Sequence, residues 1–196
     1  MNFDFSDDQK SLKDQARKFL GDKASSKVTR RVLDDAAVSY DEALWRGVAE
    51  MGWLGAAIPE EHGGLGLGRL ELCVLAEELG RAVAPIPFSS TVYFFAEALM
   101  LAGNDAQKAA LLPKVAAGEI IGCFAVSEGP GAPSPASIQA KFENGTLTGA
   151  KIPVTDGDCA HFAVVVAREG AGVSLLLVDL NQPGVTRTIL KTLDPT

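Results

Sequence analysis

Histidine and cysteine are scarce in this chain, and clustered basic residues are missing. Two histidines, His62 and His161, and three cysteines, Cys73, Cys123 and Cys159, are all that its 196 residues offer. No C-x-x-C occurs, and neither histidine sits in a recognisable ligand pattern, so neither a disulfide framework nor a metal site is indicated. Buried reduced thiols and satisfied loop or surface histidines are the expectation. Lys and Arg number 18 against 25 Asp and Glu, for a formal net charge of −7. Without a basic block, a nucleic-acid or anionic-membrane partner would lack its usual source of affinity. No apolar run approaches membrane-spanning length, and the acidic residues 1–8 lack the basic and apolar regions of a leader. A soluble cytoplasmic protein is expected.

What is present is an ordinary globular supply of side chains, 47% hydrophobic and 22% charged, enough for one large domain or two small ones. Ser6 followed by Asp7, Asp8 and Gln9 reads as a capping box opening a helix that Gly21 could stop. Val28, Val32 and Leu33 recur at helical spacing, and Asp41 can cap a further helix that Gly52 closes. Leu70, Val74, Leu75 and Leu79 face one way in the next, with Gly80 behind them. A very apolar helix follows from Thr91 through Leu101, then one capped by Asp105, interrupted by Pro113 and ended at Gly118. Beyond that point the period changes to 2. Strands are expected at residues 120–127, around Ile138 to Phe142, from Leu147, and at 162–167, 173–180 and 185–190, with Asn144-Gly145 as a hairpin turn. Strands joined by turns, with no helices between, predict an antiparallel sheet or barrel. The fold class is therefore α+β, with an all-α helical domain over 1–118 followed by an antiparallel β-barrel domain over 119–196.

The glycine-dense loop from Gly63 to Gly68 invites a phosphate-cradle reading that its spacing does not support. No G-x-G-x-x-G fits, no Gly-Lys-Ser/Thr follows, and no βαβ pattern surrounds it. Residues 122–157 are more informative. Cys123-Phe124-Ala125-Val126-Ser127-Glu128 is a short apolar run ending on a hydroxyl and a carboxylate before a loop rich in Gly and Pro. Lys151-Ile152-Pro153-Val154-Thr155-Asp156-Gly157 repeats the arrangement. The two rims could face one ligand, or could be ordinary turns, which favour Ser, Thr and Asp for backbone reasons.

The order of features resembles the acyl-CoA dehydrogenase family. Gly52-Trp53-Leu54-Gly55 with Ile58-Pro59-Glu60-Glu61-His62-Gly63-Gly64-Leu65-Gly66 resembles the family's G-W-x-G … I-P-E-E-Y-G-G-x-G. Glu77-Glu78-Leu79-Gly80-Arg81 resembles E-E-L-G-R, and Gln107-Lys108 with Leu112-Pro113 and Gly118 resembles Q-K-x-x-x-L-P-x-x-x-x-G. The two rims resemble Y-A-L-T-E-P and K-x-W-I-T-N-G. The resemblance implies FAD as cofactor and an acyl-CoA substrate. The α proton of the thioester is removed while the β hydrogen leaves as hydride, and electrons pass to an electron-transferring flavoprotein-type acceptor. It also implies a homo- or hetero-oligomer.

By this resemblance Phe124, Val126 and Ser127 line the isoalloxazine ring, with Ser127 in place of a threonine, and Thr155 hydrogen-bonds the flavin. Ser134 falls near the serine that touches the acyl-CoA, in a loop that has lost the family's A-G-S-D. Pro153 stands where the family has tryptophan, and Asp156 where it has asparagine, putting a carboxylate near an electron-rich cofactor. The catalytic glutamate belongs to a C-terminal helical domain, so no catalytic residue is expected among these 196. Weak or absent FAD binding by these residues alone follows. A non-catalytic, degenerate subunit that supports an intact partner is the alternative.

Overall fold

The structure, a computed structural model, describes residues 4–192. Three of its helices start on side-chain caps. Ser6 Oγ accepts from the Gln9 N–H at 3.2 Å while Gln9 Oε1 accepts from the Ser6 N–H at 3.0 Å, and α1 (Asp7–Lys23) follows. Gly21 does not stop it; a glycine ends a helix by turning left-handed, and Gly21 is not among the positive-φ residues. Next come α2 (Ser26–Asp34) and α3 (Glu42–Glu50). Asp41 Oδ1 caps α3 through the Leu44 N–H at 2.7 Å, and its other oxygen pairs with Arg31. α1 packs on α4 (Arg69–Arg81). Asn104, not Asp105, caps α6 (Asp105–Ala116), trading hydrogen bonds with Gln107 at 2.9 and 3.0 Å. Pro113 lies inside α6 without ending it; the Ala117 N–H still bonds the Pro113 carbonyl, and Gly118 (φ 73°) closes the run.

The described chain divides into two compact units. One gathers the residues up to Pro87 with Leu112–Glu119 and Thr192; the other gathers Phe88–Leu111 and Ile120–Lys191. The first is helical, around a core that includes Leu20, Trp53, Leu54, Ile58 and Leu75. No helix among the described residues is long and apolar enough to cross a membrane.

The second unit holds the sheet. Its helical part is a wide-turned π-helix (Ser89–Ala96) running into α5 (Glu97–Ala102), followed by the first part of α6. The strands are β1 (Gly122–Ala125), β2 (Lys141–Glu143), β3 (Thr146–Thr148), β4 (Phe162–Glu169) and β5 (Gly172–Asp179). Asn144 (φ 52°) and Gly145 (φ 77°) form the expected tight turn, pairing Phe142 with Leu147. β4 organises the sheet. β5 runs antiparallel along all of it, from Phe162↔Asp179 to Glu169↔Gly172. β1 lies parallel against its first half, from Gly122↔Phe162 to Ala125↔Val165, and β2 is parallel at Lys141↔Arg168.

Helices followed by a sheet is thus the architecture, but the sheet is mixed rather than purely antiparallel. Hairpins enforce antiparallel pairing only between neighbours in sequence. The chain leaving β1 makes a long excursion before β4 and can return in the same direction. Residues 185–190 form no strand; Arg187 instead points its guanidinium at the carbonyls of Gly157, Asp158 and Ala160.

Candidate functional site: two tied rims

The glycine loop can be set aside on geometry. Its backbone donors are already used: the N–H groups of Gly64, Leu65, Gly66 and Leu67 bond the carbonyls of Pro59, Gly55, Ile58 and Ala56. A Cβ on Gly64 would lie 2.0 Å from the Ile58 carbonyl oxygen. Glycine is needed there for close backbone approach, and no row of free N–H groups is left to cradle a phosphate.

The first rim is carried by β1, which the π-helix fixes. Thr91, fully buried, donates its hydroxyl to the Gly122 carbonyl and accepts from the Gly122 N–H, both at 3.3 Å. The Phe95 ring lies over the same glycine, where a Cβ would come within 2.1 Å of it. His161 secures the neighbouring residue, its Nδ1 accepting from the Ile121 N–H at 3.0 Å. From this anchorage Phe124, Val126 and Ser127 emerge half-buried.

The second rim is brought alongside the first. The Ile152 N–H donates to the Ser127 carbonyl at 2.8 Å and the Gly129 N–H to the Ile152 carbonyl at 3.0 Å, around a bridge between Glu128 and Ile152. An ion pair locks the junction. Lys151 Nζ lies 2.6 Å from Glu128 Oε1, with their side chains 8% and 13% exposed, and also reaches the Val126 carbonyl at 3.2 Å. Glu128 further accepts from the N–H groups of Gln139 at 2.6 Å and Ala140 at 2.9 Å. Burial pushes its pKa up, but Lys151 and the two N–H groups outweigh this and hold it below the usual glutamate range.

Beyond Ile152 the chain passes Pro153 and Val154 into a turn that bears Thr155, exposed, and Asp156, half-buried with φ 55°. Ser90 Oγ donates to Asp156 Oδ2 at 2.5 Å. The carboxylate therefore faces the π-helix. Burial raises its pKa, with the Ser90 hydrogen bond opposing and the Asp158 charge adding to the rise. The hydroxyls of Ser127 and Thr155 bond no other group among the described residues and remain available at the rims.

Ser134, by contrast, lies exposed in a local turn. It exchanges hydrogen bonds with Ser137, and Arg168 secures the next carbonyl, that of Pro135, at 2.8 Å. Of the thiols, Cys123 is buried and pushed up to about 12 by burial and then Asp156, and burial raises Cys159 as well. Neither is a nucleophile at neutral pH. Cys73 is exposed, against the expectation of burial. Reading the sequence missed Ser90, Lys151 and Arg187. Lys151 stood in a recognised motif, whereas Ser90 and Arg187 carry no local signal because their partners are remote in sequence.

Residues 6–119 match the family described as acyl-CoA dehydrogenase, N-terminal domain, and the chain belongs to the acyl-CoA dehydrogenase family. Mitochondrial isovaleryl-CoA dehydrogenase from Pongo abelii is 29% identical over 192 residues, covering 91% of this chain and 45% of that protein. Among solved structures, the ChsE4-ChsE5 complex from Mycobacterium tuberculosis superposes with a TM-score of 0.85 at 28% identity, over 97% of this chain and 52% of the other. A glutaryl-CoA dehydrogenase from Mycobacterium smegmatis, solved in complex with FADH2, shares the fold with a TM-score of 0.79 at 23% identity, covering 97% and 50%. The chain spans about half the length of the curated relatives it matches.

Proposed function

We propose that these 196 residues form the flavin-facing half of an FAD-dependent acyl-CoA dehydrogenase, which oxidises an acyl-CoA thioester between its α and β carbons. The carrying observation is the pair of rims tied side by side, with two uncommitted hydroxyls, Ser127 and Thr155, at their tips. Family membership supports the flavin reading. FAD, when bound, supplies a hydride acceptor. The chain's own part is to bind and orient it: Ser127 and Thr155 donate hydrogen bonds to the polar edge of the ring, and Phe124 and Val126 exclude water beside it. Ser134 is the residue nearest in sequence to an acyl-CoA contact.

Proton removal is not assigned to this chain. A general base needs an accessible lone pair within hydrogen-bond reach of its proton. Glu128 gives its oxygens to Lys151, Gln139 and Ala140, which also lower its basicity. Asp156 is engaged by Ser90. Electrons leave to a flavoprotein-type acceptor, and the working assembly is an oligomer.

The test is turnover of acyl-CoA with an artificial electron acceptor and FAD in excess. None is expected from these residues alone, since losing the base removes roughly 10²- to 10⁴-fold before any loss of substrate positioning. Activity that survives Thr155→Val and vanishes in Glu128→Gln would overturn the assignment and make Glu128 the base.

A second reading, a non-catalytic subunit supporting an intact partner, draws on Pro153, which brings no N–H to the rim. It predicts a stable mixed complex on co-expression with a full-length family member. Elution of the two as separate species would count against it.

A further inference from the structure

The turn that presents Thr155 is held from two sides by residues remote from it in sequence. From the π-helix, Ser90 donates to Asp156 at 2.5 Å across 66 positions. From the segment after β5, Arg187 Nη1 donates to the carbonyls of Asp158 and Ala160, both at 2.9 Å, and lies 3.4 Å from that of Gly157. Arg187 Nη2 is steadied by Asn181 Oδ1 at 3.1 Å. Inside the turn, the Asp156 carbonyl accepts from the Ala160 N–H at 3.0 Å and the Gly157 N–H reaches the Val154 carbonyl at 3.3 Å.

Three carbonyl dipoles converging on one point repel one another unless a cation sits there. Arg187 supplies that cation, from a stretch that forms no strand. We infer that Arg187 and Ser90 are positioning residues for the flavin rim, a clasp that fixes the Thr155 turn before any cofactor arrives. The inference rests on the flavin reading of that rim. Neither residue touches the cofactor in this account; each acts through the turn, so that the ordering cost of Thr155 is met on folding rather than on binding.

The experiment uses the whole chain, comparing wild type with Arg187→Met, Arg187→Lys and Ser90→Ala. Two quantities are read: hydrogen exchange of the Gly157 and Ala160 amides, and the FAD concentration that half-saturates the Thr155 amide shift. In Arg187→Met, exchange at both amides rises about tenfold and FAD affinity falls about tenfold, with the hairpin at Asn144-Gly145 unchanged. Lysine, which carries three donors on a flexible stem, restores part of both effects. Ser90→Ala weakens FAD binding in the same direction. Where Arg187→Met fails to fold, the lysine and Ser90 variants give the same two readings.

Faster exchange with wild-type FAD affinity makes Arg187 merely structural and overturns the positioning role. So does wild-type behaviour in both readings. A wild-type chain in which FAD never moves the Thr155 amide instead overturns the flavin reading itself, and the clasp's role falls with it.

Discussion

Lys151 keeps an ammonium at a place only 8% exposed because Glu128 and the Val126 carbonyl are there to receive it. Removing one partner of a buried pair leaves the other charge without compensation, which costs more than the pair itself contributes. Lys151→Met is therefore expected to destabilise the sheet-bearing unit by about 3 kcal/mol, read as a shifted denaturation midpoint. Glu128→Gln leaves the Lys151 ammonium without its counter-charge and should cost a comparable amount. An unchanged midpoint in Lys151→Met would mean that the pair does not hold the rims together. This clamp was half legible in the sequence. Both residues stand in recognised motifs, but a rim carboxylate reads equally well as a candidate base, and only its partners decide the matter.

At the scale of elements, the π-helix governs the first rim. Thr91 satisfies both backbone groups of Gly122, and Phe95 occupies the space a side chain there would need. Gly122→Ala should destabilise by about 1–3 kcal/mol through overpacking, and Phe95→Leu in the same chain should recover part of the loss. Additive effects of the two changes would show that they do not share the space. Local devices were the legible ones: the Ser6 box, the Asp41 cap and the Asn144-Gly145 turn each act within four residues, and each is found. Pairings across long separations were not. Nothing in the composition of β1 says that it will lie parallel to β4, and Val185 to Leu190 has the apolar content of a strand yet pairs with none. Asn104 displaced Asp105 as the cap of α6 because its side chain also reaches Gln107, a difference of one position that periodicity does not resolve.

For the molecule as a whole, acid should act first through Glu78. This carboxylate is fully buried, and hydrogen bonds from Arg17 and then Arg81 overcome the opposing burial to hold its pKa at about 2, against 4.5 for a free glutamate. A pKa lowered in the folded state stabilises above the unfolded value, and the benefit is lost as pH falls from about 4.5 towards 2. Glu78→Gln should flatten that part of the acid limb; a limb as steep as wild type would place the acid sensitivity elsewhere, with Glu128 the next group to examine.

The central claim is that the tied rims hold a flavin. It is tested most directly by following the backbone amides of the whole chain while FAD is added to millimolar concentration. Of the weak or absent binding that the resemblance implies, the account commits to weak: saturable shifts are expected from residues that would supply one side of a flavin site. The largest should fall at Ser127 and Thr155 and weaken in Thr155→Val. Shifts centred on the glycine loop at Gly63 to Gly68, or no saturable shift at either rim, would contradict it.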